Sequence, residues 1–170
     1  PKDPHWMLIR TGDHPYTSPA SLPIELFSDF LEPSVAEALS WAESLEALLS
    51  NQYGITVFRH FLRSEFSEEN LDFWLAVEKL KQTRPLSKMG SRTEKIYADF
   101  ISTSAVRQVC LSSCSVTVVL KSWVHPASFQ LAQEQVFGLM ETNSYPRFLK
   151  SHLYTQLTNQ STAKSVLVSE

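Results

Sequence analysis

From Trp41 onward the apolar residues of this chain recur three and four positions apart, and that period commits them to helices rather than strands. Trp41, Leu45, Leu48 and Leu49 form one stripe. Ile55, Phe58, Phe61 and Leu62 form a second, after Gly54, which reads as a break. Phe73, Trp74, Val77 and Leu80 predict a long helix from Ser67, punctuated by Pro85 and Gly90. Ser91-Arg92-Thr93-Glu94 then reads as a capping box, followed by the apolar face Ile96, Tyr97, Phe100 and Ile101. A further helix is expected from about Ser128 to Glu141, burying Phe129, Ala132, Val136, Leu139 and Met140. Short helices are expected at Pro146 to Leu149 and Ser151 to Leu157. No alternating strand rhythm and no repeat of about 20 to 50 residues interrupts the pattern, so the fold class is all-α and not a solenoid.

The 170 residues divide into three parts on this reading. Residues 1–40 hold six of the nine prolines and form an extension expected to be flexible up to Pro23. Within it, Ile24 to Glu32 has the spacing of a short amphipathic helix. Residues 41–160 are the helical domain, and 161–170 a tail expected to be mobile.

One segment carries more than periodicity. In Ser64-Glu65-Phe66-Ser67-Glu68-Glu69-Asn70-Leu71-Asp72-Phe73-Trp74, Ser67 is placed to cap a helix, and Glu68 and Glu69 sit where the helix dipole favours negative charge. The helix would present a buried aromatic face and an exposed Asn70. That is a surface for contact rather than for chemistry, although the cap and stripe alone suit any all-helical domain.

Composition excludes several roles. A net charge of -3 provides no basic field for nucleic acid or anionic lipid. With no secretory leader pattern and no apolar run of about 18 residues, the chain reads as soluble and intracellular. The four glycines, at 12, 54, 90 and 138, belong to no phosphate-cradling loop. Cys110 and Cys114, with His125 downstream, lack a fourth zinc ligand and read as reduced thiols; activation by neighbours is the one route to a thiol enzyme. The histidines are scattered, and His60, between Phe58 and Phe61, reads as a partly buried polar residue. Glu68, Glu69 and Asp72 read as solvated capping carboxylates rather than a catalytic cluster. Neither a metal, a cofactor nor a small-molecule substrate is expected.

The strings FLRSEFSEENLDFW and SYPRFLKS resemble the regulators of G-protein signalling, which accelerate GTP hydrolysis by Gα subunits, and the resemblance spans essentially residues 41–160. It implies a bundle of about nine helices that grips the Gα switch regions without catalytic groups of its own. It also implies a GTP-bound or transition-state Gα partner of the inhibitory or Gq class, attenuation of receptor signalling, and a monomer in the cytoplasm recruited to the inner face of the plasma membrane. Family members often dock to membranes through a basic amphipathic helix. Here the helix at 24–32 carries Glu25, Asp29 and Glu32, so membrane association is expected to be indirect.

Carried over residue by residue, the resemblance places a first contact loop at Phe66, Ser67, Glu69 and Asn70, with the Asn70 amide facing the switch residues. A last contact patch falls at Leu139, Asn143, Ser144 and Arg147. There Asn143 stands where the family usually has the Asp that helps to hold the arginine. The middle loop departs, with Cys110-Leu111-Ser112-Ser113 in place of Asn-Leu-Asp-Ser. Losing those polar groups would cost about 1–3 kcal/mol of binding each. Beyond it, Val116-Thr117-Val118-Val119-Leu120 argues against a stable exposed helix and reads as a diverged helix, a variant product or an altered reading frame. An alternative function follows from that departure: a helical interaction domain that binds Gα or another partner without accelerating hydrolysis.

Overall fold

The computed structural model describes residues 33–84, 86–122 and 126–166, and every regular element among them is helical. The amphipathic helix expected at 24–32 lies outside the described residues. The first element is α1 (Val35–Ser40), which the periodicity did not single out. It starts at a true capping box: Ser34 Oγ accepts from the Glu37 N–H at 3.2 Å, and Glu37 Oε2 accepts from the Ser34 N–H at 2.9 Å.

The next two helices, α2 (Leu45–Ser50) and α3 (Gln52–Ser64), meet at Asn51, whose Oδ1 accepts from the N–H groups of Tyr53 and Gly54. Gly54 is therefore not a break but lies in the first turn of α3. A Cβ there would stand 2.5 Å from the Leu48 carbonyl oxygen, so glycine is what lets α3 turn back tightly on α2.

Helix α4 (Glu68–Lys81) leads to α5, which spans Met89–Ile96 and continues as a π-type turn through Ile101. The capping box expected at Ser91 does not form. The helix already begins at Met89 after a 3-10 turn, and the Ser91 and Thr93 hydroxyls donate backward to the carbonyls of Lys88 and Gly90.

The β-branched segment is helical, as α6 (Ser113–Ser122), against its local propensity. Tertiary contacts account for this. Ser112 Oγ accepts from the Ser115 N–H at 3.3 Å, the Ser115 hydroxyl donates to Gln135 Oε1 at 2.7 Å, and Val119 is fully buried. Leu120 remains 52% exposed.

Helix α7 (Gln130–Leu139) passes through a second π-type turn, Met140–Ser144, into α8 (Tyr145–Leu149), and α9 (His152–Val166) follows. This one continuous rod replaces the separate helices expected at 128–141 and 146–149, and α9 is longer than expected. The core is built on Trp41, Phe58, Phe73, Phe129 and Phe148. Phe148 packs its ring against Phe58 at 5.3 Å, Phe61 at 5.6 Å and Tyr154 at 5.3 Å, joining α3, α8 and α9. The stripe Trp41/Leu45/Leu48/Leu49 is buried as expected, and so are Phe58, Phe61 and Leu62 of the second, while its first member, Ile55, is half-buried. Leu139 is not; it is 37% exposed. Two phenols close the bundle: Tyr145 donates to the Trp41 carbonyl at 2.7 Å and Tyr154 to the Ala38 carbonyl at 2.9 Å.

Candidate contact face

The junction of α3 and α4 is a tight turn held by backbone. Glu65 caps α3 with its N–H directed at the carbonyls of Phe61 and Leu62, Phe66 N–H donates to Arg63, and Ser67 N–H donates to Leu62 at 3.0 Å. This geometry forces Phe66 to φ 54°, the one non-glycine residue with positive φ among the described residues, and leaves its ring 85% exposed. A bulky residue in the left-handed region costs about 1 kcal/mol, and an exposed ring gains nothing from the solvent. Both costs fall on one position inside the expected contact loop.

Ser67 occupies the N-cap position of α4, but its side chain does not cap the helix; its hydroxyl turns back to the Leu62 carbonyl at 3.5 Å. Asn70 is not exposed as expected; it is 7% exposed. Its Nδ2 makes two long contacts, 3.4 Å each, to the Ser67 carbonyl and Glu69 Oε1, while its buried Oδ1 finds no hydrogen-bond partner among the described residues. An unsatisfied buried acceptor costs about 1–3 kcal/mol, a cost that an incoming donor would remove. Burial holds the Glu69 carboxyl above its usual range, and the neighbouring charges of Glu68 and Asp72 add to the shift.

Of the carboxylates Glu68, Glu69 and Asp72, the first and last are ion-paired rather than simply solvated. Glu68 pairs with Arg63 at 2.7 Å, and Asp72 with Arg59 at 2.6 Å and Arg107 at 3.1 Å. Arg107 belongs to the middle loop, where its guanidinium also lies over the Phe100 ring, 4.7 Å from the centroid. The Val109 N–H donates to the Phe100 carbonyl at 3.0 Å, which fixes the far end of that loop. Cys110 is an exposed free thiol next to it, as is Cys114. Ser112 donates its N–H to Gln135 Oε1 at 3.1 Å, and its hydroxyl is engaged with Ser115.

On the rod, Leu139 and Asn143 are exposed and Ser144 is only 5% exposed. Asn143 does not hold Arg147: its Nδ2 donates to the Leu139 carbonyl at 3.3 Å and to Thr142 Oγ1 at 3.2 Å. Arg147 is held instead by Glu65, with Nε donating to Oε1 at 2.9 Å and Nη2 to Oε2 at 2.7 Å. That pair joins the first patch to the last, Asp72 with Arg107 joins the first to the middle loop, and Gln135 ties the middle loop to the rod. Glu65, Asp72, Arg107 and Gln135 were not among the expected site residues. Glu65 and Asp72 both lie within the signature string, which could have flagged them; Arg107 and Gln135 lie outside it.

A catalytic centre is harder to assemble. A groove of about 410 Å³ lies where α4 meets α7, lined by residues including Trp74, Phe137, Glu46, Glu78 and Glu141, with neither a cysteine, a serine nor a histidine in its wall. Among the described residues no cluster of three His, Cys, Asp or Glu could hold a metal. His60 is half-buried, and burial first, then Arg63, lowers its pKa. Among the described residues no helix is long and apolar enough to cross a membrane.

The family model described as "Regulator of G protein signaling domain" matches residues 44–157. A Sus scrofa protein named Regulator of G-protein signaling 5 is 40% identical over 144 residues, which cover 84% of this chain and 77% of that relative. Its Mus musculus counterpart is 43% identical over 128 residues, 74% of this chain and 71% of the relative. For the Rattus norvegicus protein of the same name the figures are 42% over 130 residues, 75% and 72%.

Proposed function

The chain belongs to the regulator of G-protein signalling family, and from that membership we propose that it accelerates GTP hydrolysis by heterotrimeric Gα subunits and so attenuates receptor signalling. The partner is Gα in its GTP-bound or transition-state form, of the inhibitory or Gq class. The acceleration comes from holding the switch regions still. Gα carries its own transition-state arginine and water-orienting glutamine, so a partner that orders these elements needs no catalytic group.

One observation carries this reading: a strained, 85%-exposed Phe66 and a buried acceptor on Asn70 lie in a turn that the Glu65–Arg147 pair connects to Leu139 and Asn143. A rigid face with an unsatisfied acceptor suits an ordered partner offering donors. Phe66, Ser67, Glu69, Asn70, Leu139, Asn143, Ser144 and Arg147 contribute the contact, with Cys110 and Ser112 at its middle. The protein acts as a monomer in the cytoplasm, brought to the inner face of the plasma membrane by its partner.

Single-turnover GTP hydrolysis by inhibitory-class and Gq-class Gα, with and without the chain, tests the proposal. Acceleration should fall at least about ten-fold with Asn70→Ala. An unchanged rate with that variant would remove Asn70 from the mechanism.

A second reading has its own observation. Ser112 commits its hydroxyl to Ser115, and Cys110 offers only a thiol, so the middle loop presents little to a partner. A chain that binds Gα without accelerating hydrolysis would satisfy this reading and defeat the first.

A further inference from the structure

We propose that Glu65 is a positioning residue whose carboxylate ties α3 to α8, so that the two halves of the contact face reach Gα as one preformed surface. This inference rests on the function proposed above. The two ends of the tie are anchored differently. Glu65 is fixed by backbone, since its N–H closes the last turn of α3, and the residue that follows is the strained Phe66. Arg147 stands in α8, at the C-terminal end of the rod, with its side chain half exposed, and a long flexible side chain there would otherwise sample many rotamers.

The fork pairing removes that freedom. Two parallel N–H to oxygen contacts, across 82 positions of sequence, fix the plane of the guanidinium as well as its distance. Arg147 has no competing carboxylate one turn away on its own helix. Asn143, at that place, spends its amide on Leu139 and Thr142. The orientation of Arg147 therefore depends on a residue of the opposite segment, and the turn at Phe66 is braced from outside by the same bond. Prepaying this order in the free chain lowers the cost of docking.

The experiment uses the whole chain and three forms: the parent, Glu65→Gln, and Glu65→Gln combined with Asn143→Asp. Glutamine keeps the shape of Glu65 while removing its charge, and the Asn143→Asp change offers Arg147 a carboxylate from its own helix. Two readouts are taken. The first is amide hydrogen exchange of Phe66, Ser67, Asn70, Lys150 and Ser151 in the free chain, all of which donate to backbone carbonyls. The second is single-turnover hydrolysis across a range of chain concentrations. Glu65→Gln should speed exchange on both segments and raise the half-saturating concentration about five-fold, with a smaller change in the plateau rate. The double variant should restore neither.

Unchanged exchange together with weaker binding would mean that Glu65 touches the partner directly, and would overturn the positioning role. Restoration by Asn143→Asp would show that the orientation of Arg147 alone matters, and would overturn the tie. No change in either readout would show the pair to be idle. If the parent chain fails to accelerate hydrolysis, the functional reading fails, while exchange in the free chain still decides whether the tie holds the two segments together.

Discussion

Arg107 reaches back 35 positions along the chain to donate from Nη1 to Asp72 Oδ2 at 3.1 Å, while its guanidinium rests over Phe100. Asp72 lies two residues beyond Asn70, so this contact sets the middle loop beside the start of α4. With a side chain 46% exposed the pair is weak as a stability element, about 0.5–1 kcal/mol. Arg107→Ala, which also removes the contact with Phe100 and a 3.6 Å pairing with Asp99, should lower stability by about 1–2 kcal/mol in urea denaturation. Its larger effect should be faster amide exchange at Val109, whose N–H closes the loop onto Phe100.

Gly54→Ala reverses the usual ranking of the two residues in a helix. Alanine ordinarily gains about 1 kcal/mol over glycine inside a helix. Here the new methyl would meet the Leu48 backbone oxygen at 2.5 Å, and a carbonyl cannot rotate away as a side chain can. The variant should be destabilised by about 2 kcal/mol, read as a lower urea midpoint at unchanged slope.

Phe66→Gly should separate stability from activity. Glycine adopts φ 54° without strain, and removing a ring that is 85% exposed forfeits little burial. After the added freedom of the unfolded chain is counted, the variant should be more stable by about 0.5 kcal/mol. Its half-saturating concentration in the hydrolysis assay should nevertheless rise. A less stable variant would show that the ring packs in the free chain.

The pH dependence of Glu69 has a definite sign. Its folded-state pKa is raised above the ordinary 4.5, chiefly by burial, so the ionised form opposes folding and the penalty disappears as pH falls through that value. Glu69→Gln should therefore melt higher than the parent at pH 7, and the gap should close as pH approaches about 4. His60, whose pKa burial lowers, becomes destabilising on acidification in both proteins and cancels from the comparison.

What the sequence made legible was local. The stripes through Leu48, Phe58 and Val77 follow from spacing alone, because a helix repeats every 3.6 residues whatever packs against it. Ser91 misled because its hydroxyl can bond either forward as a cap or backward within a helix, and the 3-10 turn before Met89 decides which. The β-branched α6 was misjudged for the opposite reason: Gln135 and the burial of Val119 supply from outside what propensity withholds. At the candidate contact face the support of the expected side chains was not readable. Asn70 is buried by its surroundings, and the partner of Arg147 lies 82 positions away rather than one turn away at Asn143.

The bond from Tyr154 to the Ala38 carbonyl spans 116 positions, and that span dictates when the domain can be finished. Closing a loop of this length costs on the order of 4 kcal/mol before any contact offsets it. During synthesis, α1 lacks its packing against α9 until that helix has emerged, and the Phe58 and Phe61 rings lack Phe148 until α8 arrives. Emergence of α9, rather than of the signature turn at Phe66, is thus the step that lets the fold close around α1.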